Sequence, residues 1–158
     1  MIDVEAVMEN LIEISKNKSD ILNDIYMITV EQSRVIAKED IEGLNDLIDK
    51  KQVLIDNAQN LDSEFEKIVD DLKLVYGVER LDEIDICKEE VSKIQAVVKL
   101  IMDKVKLIRK LEMENSSLLR EMKDNMEKKI KSIKTGKKAV SNYGYANMQQ
   151  PVYFDKNH

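Results

Sequence analysis

The sequence predicts an all-α fold: an elongated antiparallel three-helix bundle, or helical hairpin, with a long C-terminal helix. Three observations lead there. The 158 residues include only 4 Gly and 1 Pro, while charged residues reach 35% and apolar residues 43%, a composition typical of long helices and coiled coils. Apolar residues recur at alternating spacings of three and four rather than two, the period of a helix face. Two glycines and one acidic turn cut this pattern into three runs. Aromatic residues make up only 4%, so the core must be built from Leu, Ile, Val and Met.

The first run carries two heptad rows, Val4, Leu11, Lys18, Ile25, Gln32 and Val7, Ile14, Ile21, Ile28, Val35, widened by Met8, Leu22 and Ile36. This predicts a helix over about 4–37. Lys18 and Gln32 interrupt the seam. Two readings stand: polar seam residues that fix register, or a lysine that snorkels its head into water.

The segment AKEDIEG then marks a turn. Asp40 is the expected N-cap, its carboxylate accepting a free backbone N–H. Gly43 stands where a capping box would need Glu or Gln. The second seam reads Leu44, Leu47, Lys51, Leu54, Ala58, Leu61, Phe65, Ile68, Leu72, Val75. It predicts a helix over about 41–76, ended by Gly77 as C-cap. A connection this short makes the two helices antiparallel neighbours.

Asp85 is the expected cap of a third helix over about 86–134, with seam Val91, Ile94, Val98, Ile101, Val105, Ile108. Glu112 stands at the next position, where the repeat fails. A shifted stripe follows: Leu111, Asn115, Leu118, Leu119, Met122, Met126, Ile130, Ile133. A helix of this length, roughly 75 Å at 1.5 Å per residue, would outrun the first two. The expectation is an overhang whose Leu/Met stripe stays uncovered until a partner helix takes it. The competing reading is that the stripe is core, through a fold-back or a dimer. Residues 1–136 would form the bundle and 137–158 a flexible tail, rich in Tyr143, Tyr145, Tyr153 and Phe154.

The net charge of −6 disfavours bulk attraction to nucleic acid or anionic membranes. Residues 120–138 nonetheless hold eight bases against three acids, a local +5, which leaves −11 on residues 1–119. That basic end reads as cations near a helix C-terminus or as a partner-facing patch; a nucleic-acid or membrane-surface binder using it is a rival. Cys87 is the single cysteine, so no internal disulfide forms. It reads as a small apolar residue at a helix start. The acidic start and the lack of a long apolar run predict a soluble cytoplasmic protein with no stable membrane insertion. His158, the one histidine, is the last residue, and GKKAVS lacks the earlier glycine of a phosphate loop. No catalytic constellation, metal site or cofactor is expected, and the chain reads as a non-enzyme.

The pattern resembles the FlgN family of flagellar type III export chaperones. The likeness rests on Asp40, Leu44, Leu47, Lys51 and Leu54 in the second helix, on Asn115, Leu118 and Leu119 in the third, and on the NYGY of the tail. The resemblance implies a cytoplasmic chaperone that binds helical segments of secreted flagellar hook–filament junction proteins before export. It places client binding on Asn115, Leu118, Leu119, Met122, Met126, Ile130 and Ile133. It places docking on the flagellar export apparatus at Tyr143 or Tyr145. The alternatives are a coiled-coil adaptor that self-associates as a homodimer through its C-terminal helix, and a FliT-like chaperone with a different client.

Overall fold

The computed structural model describes residues 3–133. Helix α1 spans Val4–Ala37, α2 Ile41–Tyr76 and α3 Lys88–Ile133, with two short 3₁₀ turns, Leu81–Glu83 and Asp85–Cys87, between α2 and α3. The described residues are all-α, without strands. α1 is the central helix and packs along both α2 and α3.

Each helix end has a local cause. Asp3 accepts a hydrogen bond from the Ala6 N–H at 3.2 Å and starts α1. α1 ends in a Schellman turn, in which Glu39 N donates to Ile36 O at 3.0 Å and Asp40 N to Val35 O at 2.9 Å. That turn puts Glu39 at φ 57°, a left-handed conformation that usually falls to glycine. Asp40 caps α2 by accepting from Gly43 N at 2.9 Å. At Gly43 a Cβ would lie 2.4 Å from the Asp40 carboxylate, which would have to shift from its capping position. Gly77, at φ 63°, ends α2.

The entry to α3 differs from the expected Asp85 cap. Glu83 closes the loop instead, its carboxylate accepting from Glu79 N at 2.9 Å and Arg80 N at 3.1 Å. Asp85 opens the second 3₁₀ turn and pairs with Lys88 at 3.2 Å. Cys87 sits in the core beside Met8, Leu11 and Leu72, and burial pushes its thiol pKa up.

The core falls into three clusters along the rods. The first gathers Met8, Leu11, Leu72, Ile84, Cys87, Val91 and Ile94 around the α2–α3 connection. The central one gathers Leu22, Ile25, Ile55, Ala58, Ile101, Val105 and Ile108. The third, at the α1–α2 turn, gathers Ile36, Leu44, Leu119 and Met122. In α1 the expected row is buried at Leu11, Ile25 and Gln32, and beside it runs a second buried row, Met8, Ser15, Leu22, Thr29 and Ile36; of the other expected row Ile14 is buried, while Val7, Ile21, Ile28 and Val35 are half-buried. Two members of this second row are hydroxyl residues, so the sequence shows it only as Met8, Leu22 and Ile36 widening the stripe. Ser15 Oγ donates to Leu11 O at 2.9 Å and Thr29 Oγ1 to Ile25 O at 2.7 Å. Hydroxyls satisfied by their own helix can be buried at little cost. Val75, placed in the α2 seam by spacing, is 56% exposed, and Tyr76 packs on the first cluster in its place.

Candidate functional site: the C-terminal end of helix α3

The candidate site is the stretch of α3 from Glu112 onward. Its first feature is a polar layer crossing all three helices. Lys51 Nζ of α2 lies 2.6 Å from Glu112 Oε1 of α3 and donates to Gln32 Oε1 of α1 at 3.2 Å. One residue row further, Asn115 Nδ2 donates to the Thr29 carbonyl at 2.9 Å, and Ser33 Oγ donates to Asn115 Oδ1. Lys51, Glu112, Gln32 and Asn115 are all buried. Loss of hydration pushes the Lys51 pKa down, against the opposing pull of Glu112.

A second ion pair, half-buried, crosses from Lys18 of α1 to Asp62 of α2. Burial again pushes the lysine pKa down, and Asp62 partly restores it. Lys18 is thus a cross-helix partner, not a snorkelling side chain. A groove of about 290 Å³ opens beside that pair, lined by Phe65, Val69, Val98 and Met102 among others. It lies in the other half of the bundle, away from residues 115–133.

The layer corrects the reading of the polar cluster as a point of departure. The α3 seam does not fail at Glu112. It continues in register through Glu112, Asn115, Leu119 and Met122, all buried. Glu112 and Asn115 face inward because α1 and α2 present polar partners at the same level.

The uncovered overhang is corrected as well. Leu119, at 0% exposure, and Met122, at 4%, are enclosed by Ile36 and Leu44. Val35, Ile41 and Ile48 pack around them, and Met126 and Ile130 are half-buried on the same cluster. Lys129 still reaches Glu39 at the tip of the α1–α2 turn, at 3.2 Å. The α1–α2 turn and the first windings of α2 therefore cover α3 as far as Lys129 and Ile130.

Of the residues singled out in the sequence, Asn115, Leu119 and Met122 are gathered in the interior, and Met126 and Ile130 at its edge. Leu118 is 37% exposed on the flank. Ile133 closes α3, but its side chain lies outside the described residues, as do Tyr143 and Tyr145. Spacing alone missed Lys51, Gln32, Thr29 and Ser33 as parts of one layer. The available signal was symmetry about the turn. Thr29 and Lys51 stand equally far from Asp40 in the sequence, as do Lys18 and Asp62.

Among the described residues, no helix is long and apolar enough to cross a membrane, and no group of His, Cys, Asp and Glu could hold a metal ion. The architecture is that of a three-helix, coiled-coil-like bundle whose third helix runs alongside the turn of the other two. The FlgN family model matches residues 1–151. The chain belongs to the FlgN family, the chaperones of flagellar type III export. No curated protein and no solved structure matches it.

Proposed function

We propose that this chaperone works in the cytoplasm and holds helical segments of flagellar hook–filament junction proteins before their secretion. The client would lie on the C-terminal part of α3, against Leu118, Leu119, Met122, Met126, Ile130 and Ile133, with Asn115 marking the near limit. The observation that carries this reading is the separateness of that end. The polar layer of Gln32, Lys51, Glu112 and Asn115 divides a small apolar cluster from the rest of the core. Leu119 and Met122 are its buried α3 members, and Leu118, Met126 and Ile130 form a partly accessible rim. Methionines suit a face that must pack against more than one surface. Docking of the loaded chaperone on the export apparatus would fall to Tyr143 or Tyr145, beyond the described residues.

The test is calorimetric titration of the purified C-terminal helical segment of a hook–filament junction protein into the full-length chain. Saturable binding that Leu118→Asp and Met126→Asp remove supports the reading. Binding untouched by both substitutions refutes it. The self-associating adaptor keeps one observation in its favour: Leu100 and Leu107, 63% and 48% exposed, stand at heptad spacing on α3 outside the core. Light scattering that finds a dimer lost in Leu100→Glu and Leu107→Glu would favour that reading instead.

A further inference from the structure

We propose that the corner joining α1 to α2 is an autoinhibitory contact. Ile36 and Leu44 occupy the Leu119–Met122 face in the free protein, and the face becomes available only when the end of α3 detaches at the polar layer. This inference rests on the reading above, that residues 115–133 hold the client.

Three observations lead to it. First, the contact already fills the surface. Ile36 and Leu44 are 2% and 0% exposed, and Leu119 and Met122 are equally closed. A client helix needs the area that the corner covers, so one must displace the other. Second, the order of residues along α3 supplies a boundary. Ile108 belongs to the central cluster, Glu112 and Asn115 to the polar layer, and Leu119 and Met122 to the end cluster. Detachment beyond Asn115 exposes the end cluster and leaves the central one closed. Ser116 and Ser117 follow directly, and serine is among the weaker helix formers. Third, the ion pair that spans the junction gives little resistance. Lys129 and Glu39 are 65% and 36% exposed, and exposed pairs contribute little.

The corner residues lie outside the client-holding helix, so they can be altered without touching it. The experiment titrates the helical C-terminal segment of a hook–filament junction protein into the full-length chain, its Leu44→Ala variant and its Ile36→Ala variant. Amide hydrogen exchange is followed in all three. When only a fraction of the protein is open, apparent affinity falls by that fraction. Loosening the corner should therefore tighten binding by about tenfold or more. Exchange over 116–133 should speed up, while 91–108 keeps its protection.

Unchanged or weaker binding in both variants, with the parent still binding, overturns autoinhibition and leaves the client reading standing. Exchange that rises together over both segments also overturns it, because the layer then marks no boundary. If neither parent nor variants bind the segment, the client reading falls and the inhibition falls with it.

Discussion

Substituting Lys51 by Met should destabilise the protein far more than the loss of one favourable contact would suggest. The lysine and Glu112 are 5% and 8% exposed, and their charges lie 2.6 Å apart. At that separation, with an effective dielectric near 20, Coulomb attraction is about 6 kcal/mol. Removing two ions from water costs several kcal/mol each, so the intact pair comes out close to neutral. Lys51→Met removes the attraction and leaves the Glu112 carboxylate buried without its cation, a loss of about 3–5 kcal/mol. The double variant Lys51→Met with Glu112→Leu removes both charges. It should fall between unchanged and about 1–4 kcal/mol more stable than the parent. Urea unfolding followed by far-UV circular dichroism measures all three, which suits a chain without tryptophan. A single variant that loses less than about 1 kcal/mol would refute the reasoning, since that is how an exposed pair behaves. A double variant as unstable as the single one would refute it equally.

Three other outcomes are expected. Glu39→Gly should stabilise the protein by about 1 kcal/mol in urea unfolding, because glycine adopts the left-handed φ of 57° without a Cβ clash; the exposed pair with Lys129 adds little to offset this. The pH dependence follows from Lys51, whose folded pKa lies below the usual 10.5. Between the two values the unfolded chain keeps a proton that the folded chain has released, so stability rises with pH across that window and is level below it. The parent should therefore gain stability relative to the Lys51→Met, Glu112→Leu double variant as pH rises from the lowered folded pKa toward the usual 10.5, with Lys18 cancelling between them. Cys87, 2% exposed with its pKa pushed up, should react with a thiol reagent only as fast as the protein unfolds; rapid labelling of the folded protein would contradict its place in the core.

The three helices were legible because their ends depend on local chemistry. Asp40 and Gly77 act through their own neighbours, and the sequence shows both. The start of α3 was less legible, since Glu83 closes the loop by reaching back to Glu79 and Arg80, and nothing in the spacing ranks it above Asp85. The inner row of α1 was obscured by Ser15 and Thr29, which count as polar until their hydroxyls are seen bonded within the helix. The polar end of the α3 seam was misread for a related reason. Glu112 and Asn115 break an apolar pattern when one helix is considered alone. They fit it once Lys51, Gln32 and the Thr29 carbonyl are brought to the same level, a matter of pairing between helices. The apolar stripe over residues 115–130 could be read from the sequence, but its burial depended on where the α1–α2 turn falls beside it.

The most direct test uses the exposed flank of α3 as its own control. Leu100, Leu107 and Leu118 all reach solvent, but only Leu118 lies past the polar layer of Glu112 and Asn115. A photoreactive side chain introduced at each position in turn would be irradiated with the hook–filament junction segment bound. Crosslinking at 118, with none at 100 or 107, is the outcome predicted for a client held past the polar layer. Crosslinking at 100 or 107 with none at 118 would place the client elsewhere and contradict it.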